Sequence, residues 1–410
     1  MSDFYDVVVV GAGAAGIAAG RRLAKAGVSF VLLEARNRVG GRAHTIQREQ
    51  ALDLGCGWLH SADRNPMVAL AEASGFTVDR TPAPWTRQSG HVGVTDAELE
   101  DFRKTFAVFE NRIDAEAEKM PPVAASAYLE SGNRWNPMLH AIFSYISGAT
   151  LECIDARDYA RYEDTGQNWR VREGYGAVFA ALGAELPVVL DARVTGVESG
   201  AGVRLQTSRG VVEARGAIIT VPTSILHTIA FAPEMQEKLE AAAGLPLGTA
   251  EKVFFALAEP EEFPVDGHLF PRFDTADMGS YHLRPSGKPV VESYFGGDLA
   301  RGLAEAGADA MVAYAKEELA SLLGSSFPAR LTTLASSAWA VDPLAMGSYS
   351  YAKPGCAEMR AVLAAPREPL FFAGEACSKH RYSTAHGAFE TGHEAAEQVL
   401  VFLQRSMPTG

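Results

Sequence analysis

Four valines at residues 7–10 run directly into Gly11, Gly13 and Gly16, and a second apolar run over residues 28–33 ends at Glu34. Glycines at this spacing between a strand and a helix suit a dinucleotide. Gly11 permits the tight turn, Gly13 lets backbone approach a pyrophosphate, and Gly16 lets helix and strand pack closely. The phosphates then meet free N–H groups, those of Ala14 and Ala15 among them, at the positive end of a helix. Glu34 closes the second strand about 20 residues on, where an acid accepts hydrogen bonds from a ribose. Ala35 and Arg36 follow it at the same edge.

Gly40, Gly41 and Arg42 come just beyond that strand. A glycine pair with an arginine brings close-approaching backbone and a cation to the same pyrophosphate. A nicotinamide domain does not require this, whereas FAD proteins of the glutathione-reductase type often carry it. The chain has no second glycine fingerprint for NAD(P)H, so the expectation is FAD with no nicotinamide partner.

The elements that must position these residues belong to a chain of 410 residues, which suits two domains. A hydrophobic content of 47% and a charged content of 21% are those of a soluble globular protein. No apolar run reaches membrane-spanning length, and the first strand starts without a basic leader, so the expected setting is cytoplasmic. A net charge of −13 counts against nucleic acid and anionic membrane as partners. Cys56, Cys153, Cys356 and Cys377 lack metal-ligand spacing and read as reduced, mostly buried thiols, with no metal site.

Three separated segments read as one nucleotide-binding core. They are the N-terminal unit, a region of short strands and a meander over residues 187–222 with a return strand at 217–221, and a terminal block where residues 370–372 precede Gly374, Glu375 and a helix. Between them, residues 95–120 and 308–323 read as helices, and residues 252–257 and 289–295 as strands. The expected fold is α/β, an FAD-binding Rossmann-like domain (residues 1–75, 187–235 and 367–410) interleaved with an α+β substrate domain (residues 76–186 and 236–366). A seam between such domains encloses a flavin ring on one side and a substrate on the other.

Further segments carry a resemblance. Residues 52–60 (through Gly57, Trp58 and His60), 248–253 (with Lys252), 339–350 (Trp339 through Ser350) and 372–388 resemble, in order, the flavin-containing amine oxidase family, which includes monoamine oxidases, polyamine oxidases and lysine-specific histone demethylases. The resemblance implies that Lys252 holds a water against flavin N5 and assists reaction of the reduced flavin with oxygen. From the bare sequence, a lysine beside the apolar residues 253–257 reads as one reaching from a strand end to solvent. Tyr349 is implied as one wall of an aromatic cage that orients an amine and excludes water. At the position of the second wall the chain has Thr384, with Tyr382 two places earlier.

Ser348 stands where covalent members carry cysteine, which implies FAD held without a covalent bond. Trp339 flanks the flavin in this reading and meets substrate, and Gly57, Trp58, Val194, Gly374, Glu375, Thr384 and Ala385 complete the cofactor contacts. The positive end of the helix that begins near Ala385 stabilises the charge of reduced flavin. His60 bonds the substrate amine or lines the channel. Glu152, Asp155, Asp158, Glu163 and Asp164 read as a solvated face rather than as an acidic recognition site.

The implied reaction is hydride transfer from the carbon next to nitrogen to flavin N5. It gives an imine that hydrolyses to a carbonyl compound and an amine or ammonia, while O2 becomes H2O2. The partners are then a small amine or polyamine and O2. Rival readings are a carbon–carbon desaturase or protoporphyrinogen-type oxidase, and a non-catalytic FAD-binding protein.

Overall fold

Alternation along the first strand decides how its sheet is covered. In a computed structural model, which describes residues 4–89, 92 and 94–405, the strand Phe4–Val10 sends Val7 and Val9 into one core and Val8 and Val10 into another on the opposite face. A strand buried on both faces is what a continuous apolar run encodes. One face is covered by the helices Ala14–Ala26 and Ala385–Arg405, which pack together. The other is covered by Gln236–Gly244 and Met359–Ala364.

The sheet has eight strands and mixed direction. Phe4–Val10 lies parallel between Phe30–Leu33 and Gly210–Ile219. Leu370–Phe372 joins the latter in parallel, and Val188–Val189 extends the other side. The return strand expected at residues 217–221 is not a separate element. The third strand of the meander continues through all ten residues of Gly210–Ile219, pairing antiparallel with Val203–Thr207 at its start and parallel with Phe4–Val10 along most of its length. Val194–Ser199 and Ala230–Ala232 complete that edge.

A second sheet of five antiparallel strands runs Gly267–Leu269, Ser280–Leu283, Val290–Gly296, Ala250–Leu257, Leu331–Ser336. Val253, Phe255 and Leu257 face a core closed by the helices Gly297–Ala306 and Ala308–Leu323. With a side-chain period of two, Lys252 and Phe254 face the other way. That face, with Ser280, His282, Glu292 and Tyr294, looks toward the first sheet's strand ends across one cavity. A helical cluster borders the cavity, led by Asp96–Glu116, whose start is fixed by a reciprocal cap between Thr95 and Glu98. No helix among the described residues is long and apolar enough to cross a membrane.

Candidate active site

A cavity of about 950 Å³ passes from the first sheet to the second. Apart from Gly16, every residue singled out from the sequence as a site residue lines it: Gly11, Gly13, Ala14, Ala15, Glu34, Ala35, Arg36, Gly40, Gly41, Arg42, Gly57, Trp58, His60, Val194, Lys252, Trp339, Tyr349, Gly374, Glu375, Tyr382, Thr384 and Ala385. Gly16 instead packs against the turn, where a Cβ would sit 2.0 Å from the Gly11 carbonyl oxygen.

The dinucleotide end fits FAD on local grounds. The helix Ala14–Ala26 starts at Gly13 without a side-chain cap, so its first N–H groups are offered to the cavity. Gly13 has an ordinary negative φ, and a Cβ there would meet nothing nearer than Gly41 Cα at 3.9 Å. The fold itself does not demand glycine at 13, but close approach of a pyrophosphate does. Gly40 bridges to Gly13 and donates to the Ala12 carbonyl, which brings the second glycine pair alongside the first turn. Glu34 is buried and accepts from the amides of Ala12 and Arg36, both at 2.8 Å, which sets its carboxylate at the strand end. Arg36 is itself held by a two-point pair with Asp342.

Arg42 and Glu375 meet each other. Arg42 Nη1 donates to Glu375 Oε1 at 3.0 Å and to the Ser348 carbonyl at 2.7 Å. Burial alone raises the Glu375 carboxyl, but Arg42, the Ser350 hydroxyl and Arg360 outweigh it and hold it below the usual glutamate range. Ser350 and Ser383 donate their amides to the same carboxylate, so Glu375 stitches three loops together. Ser348 Oγ bonds both the amide and the carbonyl of Ala250, fixing the residue before Tyr349 against the second sheet. Trp339 Nε1 donates to the Leu54 carbonyl at 2.8 Å.

Lys252 does not reach solvent from a strand end. Its side chain is 7% exposed, and Nζ lies 2.9 Å from Glu292 Oε1 and 3.0 Å from the Asp53 carbonyl. Glu292 also pairs with Arg170 Nη2 at 2.8 Å. Burial opposes its charge, yet Arg170 and Lys252 together hold the carboxyl far below the usual range. Arg170 lies over the Trp58 ring and faces His282 Nδ1, whose Nε2 reaches Asp266 at 3.0 Å. Glu292, Arg170, His282 and Tyr294 all line the cavity, and the sequence reading gave none of them a role. Their trace is the acid that interrupts the apolar residues 290–295, opposite a strand that carries Lys252.

The Tyr349 hydroxyl donates to the Tyr145 carbonyl and receives the Tyr294 hydroxyl at 2.8 Å. Burial pushes its phenol well above the usual value, so its ring presents a neutral wall. Tyr382 and Thr384 both reach the cavity by different means. The Tyr382 ring lies under Arg360, 3.6 Å away, and its hydroxyl donates to the Asp158 carbonyl. Thr384 Oγ1 accepts from the Gly387 amide and so caps the last helix. His60 Nδ1 meets Asn168 Oδ1 at 2.7 Å, and burial lowers its imidazole. Burial likewise lowers His282 and takes His268 to about 3.

Two expectations fail here. Asp155 and Asp158 are not a solvated face. Asp155 is buried and caps the helix Ala156–Ala160, while Asp158, 1% exposed, forms a two-point pair with the fully buried Arg360. Nor are the thiols mostly buried: Cys377 is, Cys153 is exposed, and Cys56 and Cys356 are intermediate.

The sequence matches a family described as flavin containing amine oxidoreductase over residues 14–153 and 137–400. It is 30% identical to polyamine oxidase 2 of Arabidopsis thaliana across 96% of this chain and 87% of that one. It is 25% identical to lysine-specific histone demethylase 2 of Homo sapiens, across 98% of this chain and 54% of that one. The fold resembles that of putrescine oxidase bound to putrescine, with a TM-score of 0.82 at 19% identity over 98% and 100% of the two chains. Cyclohexylamine oxidase from Brevibacterium oxydans IH-35A gives 0.81 at 20% identity over 98% and 100%.

Proposed function

The chain belongs to the flavin-containing amine oxidoreductase family, and from that premise we propose that it oxidises the C–N bond of a small amine or polyamine to an imine, which hydrolyses to a carbonyl compound and an amine or ammonia, with O2 reduced to H2O2. Bound FAD supplies the acceptor for the hydride and its electrons. The observation that carries the reading is the convergence of Lys252, Trp339 and Tyr349 on the cavity whose other end is the glycine cradle. Residues 1–75, 187–235 and 367–410, which supply the eight-stranded sheet, form the cofactor domain in this reading, and residues 76–186 and 236–366 the substrate domain.

Each side chain has a task that its bonds allow. Gly13, Gly40, Gly41 and the uncapped helix start receive the pyrophosphate, and Glu34 the ribose. Lys252 has three N–H donors and two protein acceptors, which leaves one donor for a water in the cavity. Tyr349 has committed its proton to Tyr145, so it acts as a wall that orients the amine and excludes water rather than as a base. Burial lowers the imidazoles of His60, His268 and His282, and the cations Lys252 and Arg170 on the same wall favour a substrate that sits there as the free amine. Ser348 has no thiol, which supports non-covalent cofactor. Four unpaired cysteines support a reducing, cytoplasmic setting.

The test is an anaerobic spectral titration of FAD-loaded protein with a panel of primary, secondary and polyamines, followed by admission of air. Bleaching of the flavin band by at least one amine, with peroxide released in air, is expected. Failure of every amine to bleach it sinks the reading.

A further inference from the structure

Arg170 holds more hydrogen-bonding capacity than the protein uses. It opens the short strand Arg170–Val171, lies 4.1 Å over the Trp58 ring and lines the cavity. Both of its protein partners, Glu292 Oε2 at 2.8 Å and His282 Nδ1 at 3.1 Å, are met by Nη2 alone. A guanidinium carries five N–H donors. Nε is enclosed without a partner, and no described residue accepts from Nη1. Nη1, unlike Nε, is not enclosed, so it is the donor of this cavity-lining cation that is open to an acceptor from the cavity.

The charge around it points the same way. Glu292 serves two cations at once, Lys252 and Arg170. Asp266 bonds His282 and the Ser286 amide and feels the charge of Arg170 without a hydrogen bond to it. Burial lowers the imidazoles of His60, His268 and His282 and so disfavours a further charge on any of them. Glu110, Asp114 and Asp164 also line the cavity, but none bonds Arg170, and Glu110 is occupied by the Tyr159 hydroxyl. The wall beside Lys252 therefore has one more cation than carboxylates in direct contact.

Resting on the amine-oxidase reading above, we propose that Arg170 anchors an anionic group of the substrate through Nη1, so that the preferred amine also carries a carboxylate. Stacking on Trp58 fixes the guanidinium plane, and a carboxylate accepts charge-assisted bonds from it. Tyr349 and Tyr294 border the same space and favour a substrate with an apolar stem between its amine and its carboxylate.

The experiment compares, on the FAD-loaded protein, amino acids with the amines that lack only their carboxyl group. Anaerobic bleaching gives a rate and a half-saturation for each member of a pair. The carboxylate-bearing member is expected to be preferred at least about tenfold in rate over half-saturation, and Arg170→Met to lower that preference by about ten- to a hundredfold, with Arg170→Lys restoring part of it. A simple aliphatic carboxylate without an amine is expected to bind the wild-type protein saturably, read by the flavin spectrum and by tryptophan fluorescence. Equal use of both members, or preference for the carboxyl-free amine, overturns the proposal and leaves amine oxidation standing. If no amine of the whole panel bleaches the flavin, amine oxidation fails, and the carboxylate titration alone decides: saturation supports the anion site and its absence rejects it. Loss of FAD from Arg170→Met at unchanged fold assigns the guanidinium to the cofactor and likewise overturns the proposal.

Discussion

Lys252 and Glu292 lie diagonally across two antiparallel strands, and their charged ends meet 2.9 Å apart on the cavity wall. Arg170 closes on the other carboxylate oxygen, so one buried acid is shared between two cations. Glu292→Gln leaves both cations enclosed together, and a loss of about 3–5 kcal/mol in unfolding free energy is expected from urea titration. The pH dependence has a definite sign. The folded carboxyl is held far below its unfolded value, so its contribution is complete above the usual glutamate range and is lost as pH falls through and below it. Glu292→Gln therefore lacks that part of the wild type's acid-induced decline. An identical decline in both proteins refutes the pairing.

Asp158 and Arg360 form a second buried ion pair, whose arginine also helps to hold Glu375 ionised. Both side chains are buried, and Arg360 also bonds Ser350 Oγ and roofs the Tyr382 ring. Asp158→Asn is expected to cost about 3–5 kcal/mol by denaturant titration, because it strands a buried guanidinium. Replacing both residues, Asp158→Leu with Arg360→Met, recovers part of that loss. A double variant less stable than Asp158→Asn counts against it.

What could be read in advance follows from how local each signal is. Gly11, Gly13, Gly16 and Glu34 report a turn and two strands within one short stretch, and the turn and strands stand where their spacing puts them. Lys252 and Tyr349 were found by resemblance, whereas Glu292 and Arg170 were not, because their meaning depends on pairing between distant strands. Asp158 misled for the same reason. An acid in a run of charges reads as surface until its partner, Arg360, is known to lie beneath it. The strand Gly210–Ile219 was divided because its two halves have partners of opposite direction, which no local pattern encodes.

Thr384 lines the cavity, and its hydroxyl caps the helix that points into it. Thr384→Ser keeps the cap, and Thr384→Ala is expected to cost about 1 kcal/mol. Thermal or urea unfolding of the two variants separates capping from packing. Equal stability of Ser and Ala removes the capping role.

His268 and His386 are buried and held neutral, each with its imidazole lowered to about 3. The unfolded chain binds their protons near the ordinary imidazole value of about 6.5, so folded stability is complete above that pH and declines as pH falls from there toward about 3. His268→Gln is expected to flatten this slope by up to about 1.4 kcal/mol per pH unit. Stability curves at about three pH values spaced between roughly pH 7 and pH 5 check it. A wild-type protein whose stability rises on acidification over this range contradicts the assignment.

Gly13 and Gly16 look alike in the fingerprint but answer to different neighbours. A methyl at position 16 would lie 2.0 Å from the Gly11 carbonyl oxygen and 3.3 Å from Thr220 Oγ1, so Gly16→Ala must push backbone aside. A loss of about 1–3 kcal/mol or more is expected for the cofactor-free protein. At position 13 the nearest protein atom is 3.9 Å away and φ is −77°, a value alanine adopts readily. Alanine there also restricts the unfolded chain, so cofactor-free Gly13→Ala should be as stable as wild type or more so by about 0.4–1 kcal/mol. What the methyl occupies is the approach of a pyrophosphate to the helix start, so FAD retention should fall at least about tenfold. Measuring FAD per chain beside unfolding of the stripped proteins reads both effects. Gly13→Ala that unfolds early, or that holds FAD as tightly as wild type, would show that the cradle is not where the phosphates sit.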